Sequence, residues 1–292
     1  MADATWSLIV HGGARTIAPD MTHANRAGCR AAAEAGAGVL RAGGSAVEAV
    51  RIAVCHLEDN DIFNAGRGSV GNAAGEIEMD AGIMDGNTLD IGAVAAVRQL
   101  YNPIEAAAAM LAAEPVLLVG EGAERFAMTQ GLPRPSAPFE AVGSDEGGHD
   151  TVGCVARDQA GHLAAGTSTG GIANTLPGRV GDAPLPGCGF YADDAIGAVS
   201  LSGDGEAIAR TLLGAQVIRA MESWPASHAA ASIVAPMQRL GAEAGVIAID
   251  AAGRIGFAHN SEHFAVAFID AASTGATAVL RRDELGEPDH DR

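Results

Sequence analysis

The sequence predicts an α+β layered sandwich. Segments typical of strands follow one another and segments typical of helices come in pairs, without the strict βαβ alternation of a Rossmann sheet. Apolar residues make up 48% of the 292 residues and charged residues only 18%, so the chain can bury a large core. No internal repeat divides the sequence, and we expect one domain over residues 1–292.

The first predicted elements are a strand and two helices. Residues 6–10 are apolar and run into His-Gly-Gly-Ala, which indicates a buried strand followed by a tight turn. The alanine-rich segment 21–41 predicts a helix that a pair of glycines ends. Ser45 and Glu48 have the spacing of a capping box, so a second helix is expected from there to about residue 57. Two consecutive helices of this kind fit one face of a sheet.

The remaining elements follow from apolar runs that glycine, proline and asparagine interrupt. Strands are predicted at residues 76–84, 90–98, 115–120, 151–158, 162–169, 196–201, 245–250, 254–259 and 264–270. Helices are predicted at residues 103–114, in a short segment that ends near 131, and at 205–223 and 226–241. Residues 281–292 are expected to form a polar tail.

Residues 131–150 differ from the segments on both sides of them. Prolines, glycines and charged residues dominate there, and no apolar periodicity remains. We therefore predict a linker or an exposed loop. It ends abruptly at Thr151, the first residue of a predicted hairpin that turns near residues 159–161.

Composition and charge argue against several classes of partner. The 36 acidic and 18 basic residues give a net charge of −18, which disfavours binding to nucleic acid or to anionic membranes. No run of about 18 apolar residues predicts a membrane span. The four cysteines lack Cys-x-x-Cys spacing, and the first residues lack the features of a signal peptide. We therefore expect a cytoplasmic protein with reduced thiols.

Three patterns suggest other chemistry, but their surroundings argue against it. Residues 66–71 match GxGxxG without the strand before and the helix after that a dinucleotide site needs. Residues 166–170 match GxSxG, but the glycines and the proline that follow argue against the helix of a serine-hydrolase elbow. His149 and Asp150 are neighbours in an extended segment, where adjacent side chains point to opposite sides. We interpret them as loop residues.

Thr151 is the candidate nucleophile. A threonine hydroxyl is a weak nucleophile and needs a base. If the chain is cut before Thr151, the freed α-amino group, with a reference pKa of about 7.7–8.0, becomes that base. One residue then supplies both nucleophile and base. From the residues alone, however, a β-branched residue that merely begins a strand is the favoured interpretation.

Resemblance to a known family reverses that balance. The most specific segment is residues 147–194, from Gly-Gly-His-Asp-Thr onward. The other signatures, in the same order as in the family, are VHGGA at 10–14, LEDNDIFNAGRGS at 57–69 and EMDAGIMDG at 78–86. Together these motifs closely resemble the plant-type, threonine-dependent L-asparaginase and isoaspartyl peptidase family, which also includes the glycosylasparaginases. The resemblance spans about residues 6–270.

The resemblance implies a fold and a processing event. The fold is that of the N-terminal-nucleophile hydrolases, a four-layer αββα sandwich. The chain would cleave itself between Asp150 and Thr151, giving an α chain of residues 1–150 and a β chain of residues 151–292. Two such pairs usually assemble, so a homodimer of αβ units is expected.

The resemblance also implies catalytic residues. Thr151 would be the nucleophile, Thr169 would assist it, and Asn64 would lie beside it. Ser202 and Gly203 would form the oxyanion hole through a hydroxyl and a backbone N–H, each worth roughly 3 kcal/mol. Serine stands where the family usually has threonine. It keeps the donor but lacks the methyl group that fixes the rotamer, so we expect activity with an altered rate.

Substrate binding is implied for a second group of residues. Arg179 and Asp182 would hold the α-carboxylate and the α-ammonium group, and the Gly205 carbonyl would help to hold the amine. This agrees with their chemistry, because a guanidinium fork suits a carboxylate and a carboxylate suits an ammonium. A mutual ion pair of Arg179 and Asp182 is the alternative. Asp204 lies at a variable position, where its charge would tune substrate choice.

One further loop resembles the family's site for a structural sodium ion. The ligands would be the backbone carbonyls of Leu57, Glu58, Asn60, Phe63, Ala65 and Arg67. No catalytic cofactor is expected.

The predicted reaction is hydrolysis of an amide at the β-carboxyl of an aspartyl unit, through a β-aspartyl ester on Thr151. The substrates would be a small molecule or a dipeptide, namely L-asparagine and isoaspartyl dipeptides. Glycosylasparaginase activity is an alternative, because His149-Asp150 before the threonine resembles that branch. A non-catalytic homologue that acts as a binding protein is a second alternative.

Overall fold

Two sheets pack face to face at the centre of the molecule, and helices lie on the outer side of each. The structure is a computed structural model that describes residues 6–136, 139–141 and 151–285. In chain order the strands are β1 (Ser7–Arg15), β2 (Met79–Asp85), β3 (Ile91–Val97), β4 (Leu117–Val119), β5 (Val152–Arg157), β6 (Leu163–Thr169), β7 (Phe190–Asp193), β8 (Gly197–Gly203), β9 (Ala244–Asp250), β10 (Ile255–His259), β11 (His263–Asp270) and β12 (Thr277–Val279). The helices are α1 (Thr22–Arg41), α2 (Ala46–Glu58), α3 (Pro103–Met110), α4 (Gly120–Thr129), α5 (Gly205–Thr211), α6 (Leu213–Met221), α7 (Ala226–Ala230) and α8 (Val234–Leu240).

The predicted threonine hairpin lies at the centre of the larger sheet. Within the described residues this sheet has the strand order β12-β11-β1-β5-β6-β2-β3-β4, and the smaller sheet has the order β10-β9-β8-β7. Strand β5 therefore pairs along both edges, with β1 on one side and β6 on the other. Thr151 directly precedes β5, so the chain next to it is held by a paired and buried framework.

Apolar residues alternate along the strands and build separate layers. On β1, Leu8 and Val10 belong to the core that includes α1 and α2, whereas Ile9 packs between the sheets with Phe190 and Phe264. These five side chains are fully buried, and each contributes about 1.5–3 kcal/mol relative to an exposed position. Another apolar layer lies between the smaller sheet and α6 and α7. The result is the predicted four-layer αββα sandwich.

The first two helices confirm the predictions made from local sequence. Helix α1 begins within one residue of the predicted start, and the Ser45 hydroxyl accepts a hydrogen bond from the Glu48 backbone N–H at 3.2 Å. That bond is half of the expected capping box and fixes the start of α2. Helix α1 contacts β1 and β11, and α2 contacts β5 and β6, so both helices lie on the larger sheet as expected.

Several element boundaries differ from the predictions. The predicted helix 205–223 is two helices, because Leu212 between them has a left-handed φ of 50°. The predicted helix 226–241 is also divided, by a 3-10 turn at residues 231–233. Helix α3 is shorter than predicted, and β1 continues through the segment predicted as a turn. The short strands β7 and β12 were not predicted, because they lack a run long enough to show periodicity.

The structure confirms the interpretation of two glycine-rich motifs. Residues 66–68 form a single 3-10 turn, with no helix directly after it, so the GxGxxG match is not a dinucleotide fold. After β6, residues 171–189 form no helix, so the GxSxG match is not a nucleophile elbow.

The predicted linker and tail are only partly described. Residues 131–136 and 139–141 form no helix or strand, whereas the rest of the linker, including His149 and Asp150, lies outside the described residues. In the tail, residues 282–285 form a 3-10 helix. No helix in the described part of the chain is both long and apolar enough to cross a membrane.

Candidate active site

A small pocket with about 240 Å³ of open space lies where β5 begins. The described residues that line it are Thr151, Thr169, Gly171, Ile172, Arg179, Gly181, Asp182 and Gly203. They come from the β5–β6 hairpin, from the loop that follows it and from the end of β8. The structure therefore brings five predicted site residues into one pocket, although they are spread over some fifty positions of the sequence.

The two threonines lie side by side across the hairpin. Val152 pairs with Ser168, so the antiparallel register places Thr151 next to Thr169. Both residues are buried, at 6% and 4% exposure. The Thr169 hydroxyl accepts a hydrogen bond from the Gly171 N–H at 3.1 Å, and a hydroxyl that accepts in this way still has its own proton to donate. Thr169 is thus placed to polarise a group on Thr151.

Asn64 braces the chain directly after Thr169. Its side-chain Nδ2 donates to the Gly171 carbonyl at 2.7 Å, and its Oδ1 accepts from the Val70 N–H at 3.0 Å. The Asn64 backbone carbonyl accepts from the Gly170 N–H at 2.8 Å. Both the oxygen and the nitrogen of the side-chain amide are therefore hydrogen-bonded to the backbone. Asn64 is not among the residues that line the pocket. The geometry gives it a supporting position behind Thr169.

Arg179, which also lines the pocket, has an unpredicted partner. Its Nε and Nη2 donate to the two carboxylate oxygens of Glu206 at 2.8 and 2.7 Å. Burial lowers the pKa of Arg179, but the hydrogen bonds to Glu206 and the nearby carboxylates outweigh it, so the net shift is upward. Arg179 is thus a permanent cation, and its forked ion pair is made with Glu206 instead of Asp182.

Two buried carboxyl groups lie close to Arg179. Burial raises the pKa of Asp182 to about 7, against the opposing effects of a backbone hydrogen bond and of Arg179. Burial likewise raises the pKa of Asp80, on β2, to about 7, although the Ala96 N–H donates to its Oδ1 at 2.8 Å. Within the described residues, Oδ2 of each carboxyl group makes no hydrogen bond. Because such a buried oxygen is unfavourable without a partner, Asp182 is prepared for a cationic ligand in the pocket.

Gly203 at the end of β8 lines the pocket, whereas Ser202, Asp204 and Gly205 lie next to it without being among the lining residues. The Ser202 hydroxyl is buried and accepts a hydrogen bond from the Ala14 N–H at 3.1 Å, so it lies near β1. A methyl group on Gly205 would lie 2.8 Å from both Arg179 Nη2 and Asp182 Oδ1, so only glycine fits between these groups. The Asp204 carboxylate accepts from the Glu243 N–H at 2.9 Å, which holds that side chain at the residue before β9.

His11 is a buried residue near the nucleophile that the sequence did not assign. Its Nε2 lies 2.9 Å from the Ser200 hydroxyl. Burial lowers the pKa of His11 to about 3, although an interaction with the Thr151 backbone opposes the shift. His11 is therefore a neutral supporting group. The only signal in the sequence was the His-Gly-Gly-Ala segment, which predicted a turn.

The loop that resembles a sodium site is folded tightly against its own backbone. A methyl group on Gly66 would lie 2.5 Å from the Glu58 carbonyl oxygen, and one on Gly68 would overlap the Phe63 carbonyl oxygen. Among the carbonyls that the resemblance implies as ligands, those of Leu57, Asn60, Phe63 and Ala65 each accept a backbone hydrogen bond. Carbonyl oxygens are ligands that suit a hard cation such as sodium, and each has a second lone pair.

Comparisons with known proteins agree with the fold. A family model described as asparaginase matches residues 4–142 and 134–279. An isoaspartyl peptidase/L-asparaginase of Danio rerio is 41% identical, over 83% of this chain and 85% of the relative. An isoaspartyl peptidase of Salmonella typhimurium is 41% identical, over 94% of this chain and 98% of the relative. An isoaspartyl peptidase/L-asparaginase of Bos taurus is 46% identical, over 70% and 73%.

Proposed function

Because the chain belongs to the asparaginase family of N-terminal-nucleophile hydrolases, we propose that it hydrolyses the amide at the β-carboxyl of an aspartyl unit. L-Asparagine and isoaspartyl dipeptides are the proposed substrates, in keeping with the names of its relatives. The observation that carries the proposal is the single pocket in which Thr151 faces a guanidinium and a buried carboxyl group.

Substrate binding uses the two charged side chains. The α-carboxylate binds the N–H groups of Arg179, and the α-ammonium group binds Asp182 and the carbonyl of Gly205. An aspartyl unit held at its α-carbon in this way extends its β-carbonyl towards Thr151 and Thr169, which line the same pocket. Binding therefore places the scissile amide beside the nucleophile.

Bond cleavage proceeds through a covalent ester. The neutral α-amino group of Thr151 removes the hydroxyl proton, and Oγ1 attacks the β-carbonyl carbon. The Ser202 hydroxyl and the Gly203 N–H stabilise the oxyanion, and Thr169 donates to Thr151. The leaving amine takes the proton and departs. Water then attacks the ester carbonyl and gives one proton to the same α-amino group. The α-amino group returns this proton to Oγ1 as the ester bond to Thr151 breaks, which releases aspartate and restores the hydroxyl.

A free α-amino group on Thr151 requires cleavage of the Asp150–Thr151 bond, and we propose that the chain cleaves itself there. Asp150 lies outside the described residues. Thr151 supports the proposal, because it is buried at the pocket and directly precedes a central strand. Intact-mass measurement after expression is expected to give two chains, residues 1–150 and 151–292. A folded chain that is neither cleaved nor active would contradict the proposal and favour a non-catalytic binding protein.

The variant Thr151→Ala tests the identity of the nucleophile. It lacks the hydroxyl needed for attack in either reaction, so one full-length chain without amidase activity is expected. Efficient cleavage of this variant would mean that another residue drives processing. Thermal unfolding serves as the control, since the loss of one hydroxyl and one methyl should leave the fold intact.

Substrate choice is tested by comparing kcat/KM for L-asparagine, β-Asp-Leu and N-acetylglucosaminyl-asparagine. We expect the first two to be preferred. A preference of about tenfold or more for the glycosylated substrate would assign the protein to the glycosylasparaginase reaction instead.

Three further proposals rest mainly on family resemblance. We propose that a structural sodium ion is held by the backbone carbonyls of Leu57, Glu58, Asn60, Phe63, Ala65 and Arg67, since carbonyl oxygens suit a hard cation. Added sodium should raise Tm if the ion binds only the folded state.

The homodimer of αβ units and the cytoplasmic location stay predictions. Analytical ultracentrifugation tests the homodimer.

A further inference from the structure

One edge of the Arg179 guanidinium is held by Glu206. Nε and Nη2 each donate to a different carboxylate oxygen of Glu206, at 2.8 and 2.7 Å. This is the planar fork-to-fork geometry in which two parallel hydrogen bonds fix both distance and orientation. The Arg179 side chain is 14% exposed and the Glu206 side chain is 62% exposed, so the pair reaches from the protein interior to the surface.

Glu206 contacts Arg179 from outside the substrate pocket. Arg179, Gly181 and Asp182 line the pocket, and Glu206 is not among the lining residues. A guanidinium has five N–H groups, of which the pair with Glu206 uses two. The remaining donors include both N–H groups of Nη1. A methyl group on Gly181 would lie 2.8 Å from Nη1, so glycine keeps this end of the guanidinium accessible.

We infer that Glu206 is a positioning residue, which holds Arg179 by its outer edge so that the other end faces the substrate's α-carboxylate. The inference rests on the proposed function, because Arg179 must bind that carboxylate. Without Glu206, rotation about the last side-chain bonds of arginine would let the guanidinium leave this orientation. The substrate would then have to restrict that rotation at the expense of its own affinity.

A competing role for Glu206 predicts the opposite result. If the Glu206 carboxylate occupied the place of the substrate's carboxylate, its removal would tighten binding. Its location outside the pocket argues against competition. Its repulsion of a bound carboxylate is screened, because more than half of the Glu206 side chain is exposed to solvent.

The sign of the change in affinity distinguishes these roles. L-Aspartate carries both α groups, so its Kd for the processed protein, measured by calorimetry, reports on Arg179 directly. We expect Glu206→Gln to raise this Kd by about tenfold, because glutamine cannot accept at both ends of the fork. An unchanged or lower Kd would overturn the inference.

A matched control separates positioning from helix stability. Glu206 lies in the first turn of α5, and Glu121 lies in the first turn of α4, where it accepts from Arg125 at 3.0 Å. Glu121→Gln therefore removes a similar helix-terminal charge and a similar arginine partner away from the pocket. It should leave Kd unchanged, and both variants should keep the far-UV circular dichroism of the wild type. An equal loss of affinity in both would show a general charge effect and would overturn the inference.

A double-mutant cycle tests whether Glu206 acts through Arg179. In an Arg179→Lys background the fork no longer exists, so Glu206→Gln should change Kd by less than about twofold. The same tenfold loss in that background would overturn the inference. For isoaspartyl dipeptide hydrolysis we expect Glu206→Gln to raise KM and to leave kcat nearly unchanged. A wild-type protein that binds aspartate but hydrolyses no amide would contradict the proposed function, and the Kd values would still decide the role of Glu206.

Discussion

The two sides of the pocket are held in place by different kinds of interaction. The nucleophile side, formed by Thr151 and Thr169, lies on the central β5–β6 hairpin, where Thr169 ends β6 and Thr151 directly precedes β5. The charged side, formed by Arg179 and Asp182 with Gly205 packed behind them, belongs to a loop and a helix start, and a forked ion pair and buried carboxyl groups set its geometry. The nucleophile side contains only uncharged side chains, whereas the charged side carries the groups proposed to bind the charged part of the substrate.

This difference separates reaction from recognition. Groups on the nucleophile side gain interactions only as the bond changes, so their removal should lower kcat. Groups on the charged side contact atoms of the aspartyl unit that do not react, so their removal should mainly raise KM. Mutations on both sides can therefore confirm or refute the division.

The largest expected effect after loss of the nucleophile is on the nucleophile side, at Thr169. Thr169→Val keeps the shape of the side chain but removes the hydroxyl next to Thr151, so kcat should fall by about 10²–10³-fold with little change in KM. Steady-state kinetics on β-Asp-Leu measure both constants. A rise in KM with unchanged kcat would place Thr169 in substrate recognition and break the comparison.

Thr167→Val is the matched control for that change. Thr167 lies on the same strand and donates to the Ala183 carbonyl at 2.6 Å. Loss of this buried hydrogen bond should lower the free energy of unfolding by about 1–3 kcal/mol. Since Thr167 does not line the pocket, the kcat of the Thr167→Val variant should stay within a few-fold of the wild-type value.

The next effect is expected on the charged side, at Gly205. In Gly205→Ala the new methyl group would lie 2.8 Å from both Arg179 Nη2 and Asp182 Oδ1, so both groups must shift away from their ligands. KM should rise by about tenfold or more, with a much smaller change in kcat. Gly38→Ala in α1 is the control, since nothing lies within 4 Å of the added group there and alanine favours a helix by up to about 1 kcal/mol. A fall in kcat alone would contradict the assignment of Gly205 to recognition.

The protonation of Asp182 should make substrate binding depend on pH. Its pKa is raised by burial to about 7, and only the ionised form attracts the α-ammonium group. Protonation therefore weakens binding, and the Kd of L-aspartate should rise several-fold as the pH falls from about 8 to about 6. The Asp182→Asn variant should bind L-aspartate weakly throughout this pH range, and its Kd should change less with pH than that of the wild type.

Asp80 is the necessary comparison, because burial also raises its pKa to about 7 and because it interacts with Arg179 and Asp182. If Asp182 controls binding, Asp80→Asn should retain the pH dependence. Loss of the dependence in Asp80→Asn, with retention in Asp182→Asn, would assign the titration to Asp80 instead.

Local sequence predicted the nucleophile side better than the charged side. The β5–β6 hairpin follows from apolar strands around a short turn, and the Ser45 cap follows from residues three positions apart. The pairing of Arg179 with Glu206 spans 27 positions and depends on how the loop packs against α5, which no periodicity records. Asp80 is one of three acids in the predicted strand 76–84, so nothing local singled it out, and its unsatisfied oxygen exists only in the folded core.

The missed break in the helix over residues 205–223 has a similar cause. Leu212 adopts a left-handed φ, a conformation that sequence reasoning assigns to glycine or asparagine. Leucine normally favours helices, so nothing local marks the end of α5. Tertiary packing provides the reason, because Leu213 and Val217 of α6 are buried against the smaller sheet.

The smallest expected effect concerns Ser202, on β8 directly before the pocket residue Gly203. Ser202→Thr keeps the hydroxyl and adds a methyl group that restricts rotation about χ1, so the proposed oxyanion donor would spend more time in one orientation. A rise in kcat of up to a few-fold with unchanged KM is expected, measured on β-Asp-Leu. Ser202 is fully buried, so Tm should be measured in parallel to detect crowding by the added methyl group. If kcat falls more than about tenfold while Tm is unchanged, serine is required at this position and its hydroxyl must rotate during the reaction.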